Sequence, residues 1–227
     1  MSLWSVERNR GSAYEFHARD LPDPAERTVW FFEVTGPALA LGSTQSPDDV
    51  DAAAADEADI AVFNRHSGGG AVLLEATGSV WIDVVIPSTD PLWNDDVAVA
   101  THWLGQVWLD TLEDLGVDDA SMHAGALVAT PMSPVLCFAG VGPGEILVGA
   151  NKVIGISQRR TRDAARFQCS VLLDWDPELH ARLLAPGIER VNGTLPAVDA
   201  VADLAVRPLR GLGPDAILAA FVGRLPR

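Results

Sequence analysis

The stretch "CFAGVGPGEILVGANKVIGISQRR", residues 137–160, contains the pattern that best reveals the fold. Two apolar runs flank "GANK" (149–152), and glycine with asparagine between such runs is typical of a tight turn joining antiparallel strands. Lys152, the only lysine of the chain, lies at this turn. We therefore predict a β-hairpin that carries Lys152 with its side chain exposed at the turn.

Short apolar segments separated by glycine, proline or asparagine predict further strands on both sides of this hairpin. These strands are expected at 29–42, 60–66, 71–74, 79–87, 125–130, 135–140 and 167–175. Helices are predicted at 46–59 with Ser46 as cap, at 94–117 with Asn94 as cap, at 177–184 and at 214–225. Mostly sequential strands with helices between them favour an antiparallel or mixed sheet covered by helices.

The composition is that of an ordinary globular protein. The 227 residues are 48% hydrophobic and 21% charged, which suits one domain with a hydrophobic core. The net charge of -15 repels polyphosphate and argues against nucleic acid as a partner. Because no signal-peptide pattern and no run of ~18 apolar residues is present, we expect a cytoplasmic protein without a membrane partner. Two cysteines without a Cys-x-x-Cys pair argue against a disulfide framework or a zinc site.

Three consecutive glycines lie just after Arg65, at the end of a predicted strand. In one interpretation, Gly68, Gly69 and Gly70 let backbone amides approach an anionic ligand beside the Arg65 guanidinium. In the other interpretation, they form a tight turn that needs positive φ angles. The residue pattern is compatible with both interpretations.

Lys152 and Cys137 are the candidate reactive groups. A lysine in a chain that otherwise uses arginine indicates a need for a compact charge or a titratable amine, although a single lysine also survives by chance. Cys137 lies in an apolar predicted strand, where a cysteine is usually a small buried hydrophobe. It becomes a nucleophile if a cation such as Lys152 lies near an accessible thiol. Ser157 and Gln158, further along the lysine strand, offer hydroxyl and amide contacts to a ligand.

Three segments together resemble the biotin/lipoate A/B protein ligase superfamily, and within it the lipoate-protein ligase and octanoyltransferase branch. They are "PALALGSTQ" (37–45), "RHSGGGAV" (65–72) and the segment 137–160 with its lysine signature. The resemblance runs over about 37–184. It implies an α+β fold, with a class II synthetase-like, mostly antiparallel sheet flanked by helices. It also implies one catalytic domain over 1–227, in which 186–227 forms a small tail.

The resemblance implies an activity, the attachment of a lipoyl or octanoyl group to a lysine of an apo lipoyl domain or of the glycine-cleavage H protein. In the ligase branch, which is our first hypothesis, lipoate or octanoate reacts with ATP and Mg²⁺ to give an acyl-adenylate. Lys152 then holds the carboxyl and phosphate oxygens, and no residue is implied as a metal ligand. The implied substrate and nucleotide contacts are Gln45, Arg65, Ser67, Gly68, Gly69, Gly70, Ala71, Gly155, Ser157 and Gln158.

Two alternatives to the ligase stay open within this resemblance. Some octanoyltransferases have a cysteine at the position of Cys137, which takes the acyl group from an acyl carrier protein and passes it to the acceptor lysine without ATP. An inactive relative that only binds a lipoyl group or a partner is the other alternative. It fits the family positions that differ here: Arg65-His66 for Arg-Arg, Leu74-Glu75 for His-Asp and Gln168-Cys169 for His-Gly. The superfamily also contains biotin transfer, and some members use an accessory subunit.

Overall fold

The computed structural model of the protein describes residues 3–185 and 197–227. Its strands are, in chain order, β1 (Ser5–Gly11), β2 (Thr28–Val34), β3 (Ala38–Leu41), β4 (Ala61–Asn64), β5 (Val72–Leu74), β6 (Ser79–Pro87), β7 (Ala120–Met122), β8 (Ile146–Val148), β9 (Asn151–Arg160) and β10 (Ala164–Leu172). Its helices are α1 (Ala13–Ala18), α2 (Ala52–Glu57), α3 (His102–Asp114), α4 (Pro177–Arg182), α5 (Ala197–Ala202) and α6 (Pro214–Arg224). None of these helices combines the length and the apolarity needed to cross a membrane.

A seven-stranded sheet forms the centre of the fold, in the order β1-β2-β6-β10-β9-β8-β7. β1 and β2 pair in parallel, whereas the other neighbouring strands pair antiparallel. Helices α3 and α6 share the core of this sheet, where the Trp108 and Phe221 rings are 4.4 Å apart. The α+β fold expected from the sequence, with a mostly antiparallel sheet flanked by helices, is therefore confirmed.

A second sheet of three strands carries the glycine-rich segment. Its order is β4-β3-β5, with β3 parallel to β4 and antiparallel to β5. Residues 65–71 connect the two edge strands of this sheet. Apolar side chains of β2, β3, β5, β6 and α1 form one buried cluster, which packs the small sheet against the large one.

A buried ion pair attaches α1 to the large sheet. Arg166 Nε donates to Asp83 Oδ2 at 2.6 Å, and the other guanidinium nitrogens donate to the carbonyl oxygens of Phe16, His17 and Arg19 at 2.6 to 3.4 Å. Since the last carbonyl groups of a helix have no partner inside it, Arg166 caps the carboxyl end of α1. Burial raises the pKa of Asp83, and the adjacent guanidinium opposes this rise.

The helix predicted over 46–59 is wrong as a single element. Ser46 caps a short 3-10 helix, Pro47–Asp49, and α2 begins only after its own cap, Asp51. Between the two, the Asp51 backbone N–H donates to the carbonyl oxygen of Leu183 at 3.0 Å. This long-range bond takes the chain out of helical geometry, and no local pattern indicates it.

The predicted main helix starts later than expected, at His102 and not after Asn94. The side chains of Asn94 and Asp96 accept backbone N–H bonds from Asp96 and Ala98, at 2.9 Å each, and so form turns. Such local bonds compete with a helix, which is why these residue types favour turns. The cap predicted at Asn94 is therefore a turn residue.

Two strand predictions differ from the structure, and the predicted tail lies partly outside the described residues. The strand predicted over 29–42 is divided into β2 and β3, which belong to different sheets. Residues 125–130 are not a strand; they contain an isolated bridge between Val128 and Val141. Within the predicted tail, residues 186–196 lie outside the described part, and α6 contributes Phe221 to the main core.

Candidate active site

Lys152 is buried, so the predicted exposure of its side chain is wrong. It is the second residue of β9, and only 1% of its surface is exposed. Its backbone N–H donates to the Ala205 carbonyl oxygen at 2.8 Å, and its own carbonyl oxygen accepts from the Arg207 N–H at 3.1 Å. The lysine is covered because a segment that is distant in sequence lies along the start of β9.

The Lys152 ammonium has a full set of acceptors inside the protein. Its Nζ donates to the carbonyl oxygens of Cys137 and Gly140, at 3.0 and 2.9 Å. It also forms an ion pair with Glu145 Oε2 at 2.7 Å. A lysine has three N–H donors, so each donor finds one acceptor here. The positive charge is therefore held in one place, beside the backbone of Cys137.

Glu145 is a site residue that was not predicted from the sequence. It lies just before β8, and only 5% of its surface is exposed. Its Oε2 also accepts from the Gly142 backbone N–H at 2.6 Å, and its Oε1 accepts from the Ile156 N–H at 3.0 Å. The sequence does contain a signal for Glu145, a carboxylate directly beside an apolar strand. Because a carboxylate is buried only when it has a partner, a glutamate at such a position can indicate a buried ion pair.

Arg65 holds the glycine loop, residues 65–71, in shape. Its buried guanidinium donates through Nη2 to the carbonyl oxygens of Gly68 and Gly70, at 2.8 and 2.9 Å. Gly69, between them, has a φ angle of 92°, so the tight-turn interpretation applies to this residue. Arg65 Nε is buried without a hydrogen-bond partner in the described part of the chain, so one donor of the guanidinium is unused there.

The glycine loop also supports the backbone of Cys137. The Cys137 N–H donates to the carbonyl oxygen of Ala71 at 3.0 Å, and the Ala71 N–H donates to that of Val135 at 2.8 Å. A Cβ atom on Gly70 would lie 2.5 Å from the carbonyl carbon of Leu136 and 2.8 Å from the Cys137 nitrogen. Glycine at position 70 therefore permits the close approach of the loop to the cysteine segment.

Gln45 bonds to the backbone of the same segment, two residues before Cys137. Its Oε1 accepts from the Gly42 N–H at 2.8 Å, and its Nε2 donates to the Val135 carbonyl oxygen at 3.1 Å. Both ends of the amide are thus used within the protein. Gln45 does not line the cavity beside Cys137, so its contact with the site runs through the backbone of Val135.

Cys137 begins a 3-10 helix, Cys137–Ala139, so the strand predicted over 135–140 is wrong. The bond from its N–H to the glycine loop takes the place of a strand neighbour. Its half-buried side chain lines a small cavity of about 30 Å³. Three other residues predicted as contacts line this cavity: Arg65, Gly155 and Ser157. The lining residues that were not predicted as contacts include His17, Trp81 and Gln168.

A chain of polar contacts runs along one wall of this cavity. Ser157 Oγ donates to Ser67 Oγ at 3.4 Å, and Ser67 Oγ donates to Gln168 Oε1 at 3.2 Å. Gln168 Nε2 lies 3.1 Å from His17 Nδ1, and because an amide nitrogen donates, the imidazole accepts there and carries its proton on Nε2. Burial, with the charges of Arg166 and Arg65, lowers the pKa of His17 to about 2. His17 is therefore neutral.

Two other residues considered in the sequence are less suited to contact a ligand in this cavity. Gln158 follows Ser157 on β9, and consecutive strand residues point to opposite faces. Its Nε2 donates to the carbonyl oxygen of Val97 at 2.6 Å instead. Cys169 lines the cavity wall but is completely buried, and burial raises the pKa of its thiol. Cys137 is thus the more accessible of the two cysteines.

A larger apolar cleft of about 800 Å³ lies on the other side of Phe138, which lines both hollows. Its walls come from 128–132, from the 3-10 helix of Cys137, from the β8–β9 turn and from 200–205. The Phe138 ring centre is 5.2 Å from Lys152 Nζ. The volume falls in the range of ~300–1,000 Å³ that is usual for small-molecule sites. Phe138 therefore lies between the two cavities, next to Cys137 in the chain and close to the Lys152 ammonium.

The sheet, the glycine loop and the lysine near a cysteine are the features that the resemblance to the lipoate-ligase and octanoyltransferase branch implies. The family described as the lipoyl protein ligase A/B catalytic domain matches residues 13–216. The chain belongs to this family, and the resemblance to the biotin/lipoate A/B ligase superfamily is confirmed. The matched segment spans most of the chain, including the glycine loop and Lys152.

One curated relative and two solved structures illustrate the likeness. The octanoyltransferase LipM of Geobacillus kaustophilus (strain HTA426) is 27% identical over 174 residues, which cover 74% of this chain and 62% of that protein. The chain thus matches less than two thirds of that relative's length. A bi-partite lipoate protein ligase from Thermoplasma acidophilum, described with its E2 lipoyl domain, has a TM-score of 0.69 at 16% identity, covering 97% of this chain and 80% of the other. A lipoate-protein ligase A bound with ATP has a TM-score of 0.69 at 18% identity, covering 97% and 82%. At these identities the two structures show a shared fold.

Proposed function

We propose that the protein transfers an octanoyl or lipoyl group to a lysine of a small acceptor domain, with Cys137 as the nucleophile that carries the acyl group. The main support is the position of Cys137, which faces a cavity bounded by the glycine loop and β9 while its carbonyl oxygen accepts from the Lys152 ammonium. The relative from Geobacillus kaustophilus, named an octanoyltransferase, points the same way. These observations move the thiol route ahead of the ligase route, which was our first hypothesis from the sequence.

The reaction has two balanced halves. In the first, the Cys137 sulfur attacks the carbonyl carbon of an acyl thioester, such as an acyl group on a carrier protein. The bond from that carbon to the carrier sulfur breaks, and the carrier thiol leaves with the proton that Cys137 loses. In the second half, the acceptor lysine amine attacks the Cys137 thioester, an amide forms, and an amine proton restores the Cys137 thiol. The sum needs no oxidant, reductant or nucleotide.

Positively charged side chains in fixed positions stabilise the negative charge that develops in both halves of the reaction. A negative oxygen forms at the reacting carbon in each tetrahedral intermediate, and negative charge forms on the sulfur. Lys152 provides a fixed positive charge at the Cys137 backbone, where its three donors are in use, and the Arg65 side chain, which lines the cavity, brings a second positive charge. A fixed charge of this kind needs no rearrangement as negative charge appears, and a donor that reaches the oxygen directly is worth about 10²–10³ in rate.

The ATP-dependent ligase is the second candidate, favoured by the presence of two buried cations, Lys152 and Arg65, in one site. Such a pair suits a carboxylate and a phosphate. However, the three donors of Lys152 are occupied by Cys137, Gly140 and Glu145, so an acyl-adenylate oxygen would have to replace one of them. In the described residues no group of three His, Cys, Asp or Glu side chains could hold a metal ion, so Mg²⁺ would come with the nucleotide phosphates.

The deciding experiment is intact-mass analysis of an acceptor after incubation with the enzyme. An apo lipoyl domain and the glycine-cleavage H protein each receive either an octanoyl-carrier thioester without ATP, or lipoate with Mg-ATP. We expect modification from the thioester alone. Modification that requires ATP would establish the ligase, and no modification under either condition, with or without an added accessory subunit, would favour an inactive partner-binding relative.

The two cysteines allow an internal control for the same assay. We expect an acyl adduct that hydroxylamine removes, and peptide mapping should place it on Cys137 and not on the buried Cys169. Cys137→Ser should lower the transfer rate by more than about 10³-fold, the scale seen when a catalytic nucleophile is removed. A fully active Cys137→Ala enzyme would exclude the thiol route.

A further inference from the structure

Glu145 is a buried carboxylate whose bonds all lie at the proposed site. Its two oxygens contact Lys152 Nζ, the Gly142 N–H and the Ile156 N–H, at 2.6 to 3.0 Å. These partners come from two different segments, the turn before β8 and strand β9. The carboxylate is therefore held from both sides and has one orientation.

The same carboxylate decides where the Lys152 ammonium lies. Without it, the ammonium would keep two neutral acceptors, the carbonyl oxygens of Cys137 and Gly140, and would be a buried charge with no counter-charge. Such a charge is strongly unfavourable in a protein interior. The flexible side chain would then turn toward water, and its donors would move away from Cys137.

We propose that Glu145 is a positioning residue, which holds the Lys152 ammonium against the main-chain carbonyl of Cys137. This inference rests on the proposed thiol route. Glu145 acts through Lys152, because its carboxylate oxygens are used by the lysine and by backbone N–H groups and it does not line the cavity beside Cys137. The ion pair keeps a compact cation fixed beside the Cys137 main chain before any substrate arrives.

A purely structural role makes a different prediction. If Glu145 only joined the backbone of Gly142 to that of Ile156, its loss would lower the stability of the fold and leave the rate per folded molecule unchanged. Kinetics measured on folded protein therefore separate the two roles. Asp90 offers a matched control, because it is also a buried carboxylate in an ion pair, with Arg27 at 2.6 Å, and does not line either hollow.

The first test compares acyl transfer by the wild type, Glu145→Gln, Lys152→Met, the double variant and Asp90→Asn. We expect Glu145→Gln to lower kcat at least about tenfold with KM for the thioester nearly unchanged, as expected for an interaction used only in the transition state. In the Lys152→Met background the same change should alter kcat less than about twofold, because its target is gone. Asp90→Asn should keep kcat. Independent, additive effects, or a loss confined to KM, would overturn the positioning role.

The second test does not depend on acyl transfer. Because Lys152 is the only lysine, ¹⁵N-lysine labelling gives one side-chain ammonium signal in the NMR spectrum. We expect this signal to be visible in the wild type and in Asp90→Asn, and to exchange with water at least about tenfold faster in Glu145→Gln. Equal exchange in both variants would overturn the inference. Failure of the proposed function appears separately, as a protected ammonium in a protein that transfers no acyl group.

Glu145→Asp keeps the test decisive if Glu145→Gln does not fold. The shorter side chain keeps the charge but cannot reach all its partners at once. We expect a visible ammonium signal with faster exchange than in the wild type, and a kcat reduced about three- to tenfold at unchanged KM. A kcat equal to that of the wild type, with unchanged exchange, would contradict the inference.

Discussion

Gly70→Ala tests whether the glycine loop determines the position of Cys137. The new Cβ atom would lie 2.5 Å from the Leu136 carbonyl carbon, 2.6 Å from the Leu136 nitrogen and 2.8 Å from the Cys137 nitrogen. All three are backbone atoms, so no side chain can turn aside to make room. An ordinary contact begins near 3.4 Å, and the cysteine segment must therefore shift by about 0.9 Å, the difference between 3.4 and 2.5 Å.

Such a shift has a cost in stability and a larger cost in activity. Inserting a methyl group into a packed site costs about 1–3 kcal/mol of unfolding free energy. A displacement of about 1 Å between reacting groups lowers the rate about 10²-fold. We therefore expect Gly70→Ala to fold with reduced stability and to transfer acyl groups about a hundredfold more slowly. Gly36→Ala is the control, because its Cβ would meet no atom within 4 Å.

Urea unfolding measures the stability of both variants, and the intact-mass assay measures their transfer rates on folded protein. Thiol labelling with iodoacetamide reports separately on the accessibility of Cys137. Wild-type rate and stability in Gly70→Ala would refute the close approach of the loop to the Cys137 backbone. A loss of activity in Gly36→Ala as large as in Gly70→Ala would show that the effect is not specific to the loop.

Two further predictions concern the support of the site. Arg166→Met leaves the Asp83 carboxylate buried without its counter-charge, so urea unfolding should show a free energy of unfolding lower by about 3–5 kcal/mol. Loss of the exposed pair between Arg210 and Asp174 should lower it by less than about 1 kcal/mol. Similar losses for both pairs would contradict this reasoning. The pKa of His17 falls from 6.5 to about 2 on folding. Below about pH 6.5 the unfolded chain therefore binds one more proton at His17 than the folded protein does. This proton lowers the free energy of unfolding by about 1.4 kcal/mol per pH unit as the pH falls. This slope should be smaller in His17→Gln between about pH 5 and 6.5, and identical slopes would show that His17 is not buried neutral.

Local patterns predicted most of the central elements of this fold. The hairpin of β8 and β9, the strands β6 and β10 and the helices α4 and α6 lie where apolar periodicity and turn residues indicate them. The edge strand β1 was missed, because "SVERNRG" is mostly polar and shows no apolar strand pattern of its own. Its place in the sheet depends on a partner strand and not on its own composition.

The sequence by itself indicated the family and the candidate reactive groups: one lysine, one cysteine fifteen positions before it, and a glycine loop after Arg65. These signals are local, since spacing and residue type carry them. The tertiary structure decided that Lys152 is buried against residues 205–207, and that Glu145 holds its ammonium. It also brought His17 to Gln168, across 151 positions of the chain. Burial and pairing depend on segments that meet only after folding, so no local pattern contains them.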